Sequence, residues 1–275
     1  MRVIPKPNIS PIITYVRCYS SYRQPTKNNF RNITNFITAQ SQEYDQRAIN
    51  KNLYTFSVHT NVQGNITKDE MIKLYNDKMV KHPSVRKVYD KLMSLPTLSR
   101  CPYCGISSVR NLDHFLPETK FPTFSVLPYN LVASCRDCNF DKSTSYAVSQ
   151  NTQTLHPYYD DYTNEQWLYA RVLHTSPVSI QFYINTPVNW LQLDIDRVHA
   201  HFNGYDLSKR FTIEASNTLA NLREEFLLYN TSSLDIQQEL EKKARSYENR
   251  YKNSWETAMY QALYQDQWYC NGGYI

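Results

Sequence analysis

The chain of 275 residues has room for one large domain or two small ones with a real core. Its 41% hydrophobic and 14% aromatic content excludes wholesale disorder. The 30 Lys and Arg against 25 Asp and Glu leave a formal charge of +5, a mild pull toward polyanions, and only five glycines with no GxGxxG or GxxxxGK[ST] string argue against a nucleotide-binding loop.

In chain order, MRVIPKPNIS lacks the apolar stretch of a signal peptide, and no run of 18 apolar residues follows anywhere. A cytoplasmic protein without a membrane span is therefore expected. Prolines at 5, 7, 11 and 25 predict an irregular arm over the first twenty-five residues. A helix is expected from about Phe30 to Ile49. Thr67-Lys-Asp-Glu70 reads as a capping box that starts a helix through about Val80, and Pro83 opens another to about Ser94. Residues 101–145 are dense in turn residues, Cys, His and Asn. Alternation at Val178, Ile180, Phe182 and Ile184 predicts a half-buried strand. Leu219, Leu222, Phe226 and Tyr229 keep helical spacing. So do Leu240, Ala244, Tyr247, Tyr251, Trp255, Met259 and Leu263 over one long C-terminal helix, and both stripes read as core packing.

Charge is uneven along the chain. Residues 1–100 carry 16 Lys and Arg against 6 Asp and Glu, while residues 101–275 carry 14 against 19. A basic first third fits a part that faces nucleic acid, or simply a set of solvated lysines.

Four of the six cysteines form two identically spaced pairs, Cys101-Pro-Tyr-Cys104 and Cys135-Arg-Asp-Cys138, while Cys18 and Cys270 stand alone. Two residues between paired thiolates let both sulfurs face one ion, so the four read as a structural zinc site. Such binding is coupled to the folding of segments without a core of their own. Buried free thiols are the plain alternative, and a redox CxxC lacks the βαβ surroundings it needs. The 30 residues between the pairs must hold something folded. Asp113-His114 ends one predicted strand, Asn130 opens a second at Leu131-Val132-Ala133, and Asn139 stands at the start of a short helix with Asp141 and Lys142. Together they predict a zinc-stapled β-hairpin followed by a helix.

The pattern C-x2-C, Leu-Asp-His-x-x-Pro, Asn-Leu-Val, Cys-x-x-Cys-Asn-x-x-Lys over residues 101–142 resembles the HNH endonucleases of the ββα-metal superfamily. The resemblance implies His114 as general base, Asp113 and Asn139 as holders of a catalytic divalent ion, and Asn130 as the residue fixing the loop that orients His114. Cys101, Cys104, Cys135 and Cys138 would hold structural Zn²⁺ away from the scissile bond. Many family members carry His at the position of Asn139; an amide oxygen is a harder donor and favours Mg²⁺ or Mn²⁺. A neutral imidazole can take a proton from water near pH 7, and one hard cation leaves positions open for phosphate oxygens. Lys120, Arg136 and Lys142 are placed to meet backbone phosphates.

Leu155-His-Pro-Tyr-Tyr-Asp160 and Arg197-Val-His-Ala-His-Phe202 are similar to segments of a Septu-type antiphage subgroup, which implies a bacterial defence role beside an ATPase partner. His156, His199 and His201 read as core or surface histidines rather than further metal ligands. The expected protein is α+β: a basic, mainly helical region over 1–95, an HNH core over 96–150 and a mainly helical region over 151–275. The expected activity is metal-dependent hydrolysis of DNA. The alternatives are an RNA (tRNA) nuclease of the same fold, since the chemistry does not use the 2′-hydroxyl, and a non-catalytic zinc module that only binds nucleic acid.

Overall fold

Helix starts dictate the architecture of the N-terminal half in a computed structural model that describes residues 1–275. Ser10 caps a helix by accepting from the Ile13 amide, and Pro11 sits at its first position, so α1 spans Pro11–Ser20. The expected irregular arm is thus corrected: Pro11 starts a helix because its fixed φ suits the first turn and its missing N–H would be orphaned there anyway. Helices α2 (Thr26–Asn32) and α3 (Thr34–Ile49) follow. A two-residue hairpin, β1 (Asn61–Val62) with β2 (Ile66–Thr67), turns at Gly64 with φ +71. The Thr67–Glu70 capping box forms in both directions and opens α4 (Lys68–Lys73), which runs on as a wider turn through Met79. Helix α5 is Pro83–Met93, capped by His82.

The next elements are β3 (Asn111–His114), β4 (Leu131–Ser134) and α6 (Arg136–Lys142). The two strands are antiparallel, with Asp113 opposite Val132 and His114 opposite Leu131. One core joins them to the helices before them: Tyr15, Cys18, Phe30, Leu74, Met79 and Leu92 pack with Leu112, Val126, Leu131 and Ala133. Burial of this kind stabilises by roughly 25 cal/mol per Å² of apolar surface. Residues 151–160 belong here as well, since Tyr158 donates to the Leu131 carbonyl at 2.7 Å and Ile4 N–H to that of Pro157 at 3.1 Å. The divisions drawn at 95 and 150 from charge and motif are therefore replaced by one compact unit over 2–160. The hairpin cannot bury its apolar face alone, and the N-terminal helices supply the cover.

The second unit, 161–275, is built on the hairpin β5 (Leu168–Leu173) with β6 (Ser179–Ile184), registered Leu168 to Ile184 and Leu173 to Ser179. The alternation that predicts β6 is real, with Ile180 and Phe182 inward; its partner β5 carries no comparable pattern. Helices α7 (Gln192–Gly204), α8 (Leu207–Leu228), α9 (Ser233–Arg250) and α10 (Trp255–Gln265) complete it. Thr212 and Ser208 of α8 donate to the Ile180 and Phe182 carbonyls of β6. Tyr229 lies just past α8 and is 73% exposed, so it leaves the predicted stripe. The single long C-terminal helix is corrected to an antiparallel pair. Tyr251 turns extended, Ser254 caps α10 through the Thr257 amide, and Tyr247 stacks on Tyr260 at 5.4 Å. The mixture of helices with three two-stranded antiparallel sheets is the α+β class. No helix is long and apolar enough to cross a membrane.

Candidate metal centre and the His114 site

The four cysteines meet. All four Sγ atoms lie within 4.8 Å of one another and all four residues are buried. The Cys104–Cys135 sulfur separation is 3.9 Å, against about 3.8 Å for two sulfurs on a tetrahedral ion with ~2.3 Å bonds. The first pair forms a tight turn: Gly105 N–H donates to the Cys101 carbonyl at 2.8 Å, and Gly105 takes φ +75, a conformation that a side chain would strain. The Ile106 amide then donates to Cys104 Sγ at 3.4 Å. The second pair is a helix start, with Cys135 as the cap of α6 and its Sγ accepting from the Cys138 amide at 3.4 Å. Amides aimed at sulfur favour thiolates. Without a cation so much charge cannot gather: hydrogen bonds, first from Cys101, pull Cys135 down to about 6, while burial pushes Cys101 up and the neighbouring sulfurs push Cys138 up. A metal ion removes that conflict, so this cluster could bind one, zinc being the ion that such a donor set suits.

Strand alternation splits Asp113 from His114. Asp113 turns toward α6 and the first knuckle. Tyr103, between the two cysteines of that knuckle, donates to Asp113 Oδ2 at 3.0 Å, and Lys142 donates to Oδ1 at 3.0 Å. The same ammonium donates to the His114 carbonyl, so two oxygens converge on one cation. Lys142 is therefore not the exposed phosphate contact expected of it. It shares the inner face of α6 with Cys138, four residues earlier, and is 9% exposed. Arg136 is exposed on the first turn of α6, and Lys120 is half-buried in the loop between the strands. Asn139 is half-buried and is the fourth residue of α6 rather than its first, because Cys135 takes the capping position.

His114 turns the other way, against the edge of the Tyr75 ring at 4.5 Å. Its Nε2 lies 2.8 Å from the Ser125 carbonyl. A carbonyl can only accept, so Nε2 carries the proton and the neutral ring has its lone pair on Nδ1. Glu118 Oε2, buried without a hydrogen-bond donor, lies 3.5 Å from the same Nε2. Burial raises the Glu118 carboxyl above its usual range, and the His114 ring opposes that rise.

Asn130 is fully buried and holds the loop between the strands. Its Oδ1 accepts from the Leu116 amide at 2.7 Å, and its Nδ2 donates to the Leu116 and Phe124 carbonyls at 3.0 and 3.2 Å. Phe124 precedes Ser125, so the carbonyl that pins His114 belongs to the segment braced by Asn130. His156 is buried against Phe115, with ring centroids 4.2 Å apart. On α7, His201 is buried and His199 exposed. Tyr103, Ser125 and Glu118 escape sequence reasoning. Tyr103 lies inside the cysteine motif and Glu118 four residues after His114, but neither type is chemically distinctive there.

No family model and no solved structure matches the chain. It is 36% identical over 262 residues to Protein ea31 of Escherichia phage lambda, an alignment that covers 86% of this chain and 88% of that protein. At that identity and coverage, the chain belongs to the family of Protein ea31.

Proposed function

We propose that the chain is a metal-dependent endonuclease of the HNH type, hydrolysing phosphodiester bonds in DNA. The observation that carries this reading is the pinning of His114 Nε2 by the Ser125 carbonyl, which leaves Nδ1 as the base that accepts a proton from water. Glu118 beside the ring stabilises the imidazolium that forms. The order hairpin then helix, with Asp113 and His114 on opposite sides of one strand, supports the same reading.

The four cysteines hold Zn²⁺ and fix the start of α6 against the knuckle that carries Tyr103. For a catalytic cation the chain offers the Asp113 carboxylate and the Asn139 amide, one turn before Lys142. The Asp113 carboxylate and the His114 carbonyl meet on the Lys142 ammonium, which a catalytic cation at Asp113 would have to displace. Bound Mg²⁺ or Mn²⁺ would stabilise charge on the non-bridging and leaving oxygens. The basic charge of residues 1–100 suits a polyanionic substrate. Conflict between phage and host, with an ATPase partner, is the setting we propose from the motif resemblance; co-purification from the native host tests the partner.

Duplex DNA, single-stranded DNA and tRNA incubated with Mg²⁺ or Mn²⁺ test the activity. Cleavage of DNA is expected, and His114→Ala should lower its rate by about 10²–10⁴-fold at unchanged zinc content. Cutting of tRNA alone would move the substrate to RNA. Tight DNA binding with no nick under any metal would replace the nuclease by a binding module.

A further inference from the structure

Asn130 does not stand alone in the core. Tyr44 of α3 donates to Asn130 Oδ1 at 3.0 Å, so this one oxygen serves both Tyr44 and the Leu116 amide. The Tyr44 hydroxyl also lies 3.3 Å from His156 Nε2. The tautomer of His156 is set on its other side, where the Tyr158 amide donates to Nδ1 at 3.2 Å. Nδ1 is then an acceptor, Nε2 carries the proton, and the direction of the chain is fixed: His156 Nε2–H to Tyr44 Oη, and Tyr44 O–H to Asn130 Oδ1. Asp160 anchors the start of this segment by accepting from the His156 amide at 2.7 Å. Tyr44 and Asn130 are fully buried and His156 is 1% exposed. Burial pushes the Tyr44 hydroxyl well above its ordinary value, so it keeps the proton it donates.

The amide of Asn130 has two ends of nearly equal shape, and only hydrogen bonding tells them apart. A flipped amide would turn a donor toward the Tyr44 hydroxyl and the Leu116 amide, and an acceptor toward the carbonyls of Leu116 and Phe124. We infer that Tyr44 and His156 are positioning residues for the His114 site, acting through Asn130: their directional pair locks the amide, the amide locks the 116–124 loop, and the loop presents the Ser125 carbonyl to His114. This inference rests on the nuclease reading for its effect on rate, but not for its effect on the ring of His114. It gives a role to Leu155-His-Pro-Tyr-Tyr-Asp160 through His156.

The test uses the full chain with Tyr44→Phe, His156→Leu and His156→Gln, each checked for zinc content and thermal midpoint. The first two remove a donor from the relay; the third retains an N–H that can reach Tyr44. Solvent exchange of the His114 Nε2 proton, followed by NMR, reads whether the Ser125 carbonyl still holds the ring. Exchange about fivefold faster in Tyr44→Phe and His156→Leu is expected, the factor associated with one lost hydrogen bond of ~1 kcal/mol. His156→Gln should restore the wild-type rate. Turnover of DNA should fall by a similar factor at unchanged KM. Wild-type proton exchange in both Tyr44→Phe and His156→Leu would overturn the inference. A wild-type chain that cuts nothing, while the variants still loosen His114, would overturn the nuclease reading and leave the positioning role standing.

Discussion

The two units differ in what they bury. Unit 2–160 takes Asp113, His114, Asn130, Lys142, His156 and Asp160 out of water, whereas the buried polar side chains of 161–275 are Arg197, His201 and Thr257. The second unit follows the usual economy of a small fold: an amphipathic hairpin, a helix on it, and an antiparallel helix pair joined at a capped break. Burying a polar group costs roughly 1–3 kcal/mol when no partner is found, and more for a charge. In the first unit most of that cost is offset by named partners, and the partners connect the thiol cluster through Tyr103 to Asp113, and the loop through Asn130 to His114. A chain that needed only stability could fill that space with leucine. The contrast puts every group of the proposed His114 site in the first unit.

The largest break in this contrast is expected at the metal centre. Cys101→Ser, or a strong chelator, should remove the proposed zinc and loosen the 101–142 region with it, because structural zinc sites supply about 10–16 kcal/mol in small zinc modules. Metal analysis and thermal melts on the full chain read this directly. Loss of zinc with an unchanged melting profile would show that the apolar core of 2–160 carries the region unaided.

Lys142→Ala probes the other end of the same network. It leaves the Asp113 carboxylate buried with Tyr103 as its partner, and removal of one member of a buried pair costs about 3–5 kcal/mol. Added Mn²⁺ should raise the melting temperature of this variant more than that of the wild type, since a dication can take the vacated place and binding to the folded state alone stabilises it. No Mn²⁺-dependent shift in either protein would separate Asp113 from any catalytic ion.

How much of this was legible follows from distance along the chain. The thiol pairs are legible because two residues between cysteines is a spacing that chemistry imposes locally. The hairpin between them and the helix that carries the second pair follow from strand and turn residues within 42 positions, and the roles proposed for Asp113, His114, Asn130 and Asn139 come from resemblance over that same span. Tyr44 is not legible: it reaches Asn130 across 86 residues, and a tyrosine in a helix announces nothing but packing. Lys142 is misplaced because its charge suggests solvent, while helical spacing from Cys138 puts it inside. The break between α9 and α10 is hidden for a different reason. Both helices keep the same apolar spacing across it, and the signal that ends one and starts the other is the modest Asn253-Ser254, where Asn253 Oδ1 accepts from the Trp167 and Leu168 amides.

The smallest effect on the site is expected from the second unit, and it is the sharpest check of the contrast. Leu263 of α10 is fully buried, so Leu263→Ala should cost about 2–5 kcal/mol through lost transfer energy and the cavity left behind. That loss falls on a core that holds none of the groups linked to His114. The expected outcome is a lower melting transition for 161–275, read by calorimetry, with the exchange rate of the His114 Nε2 proton and the zinc content unchanged well below that transition. If instead the ring of His114 loosens as α10 is weakened, the second unit takes part in holding the site, and the contrast between the two units fails.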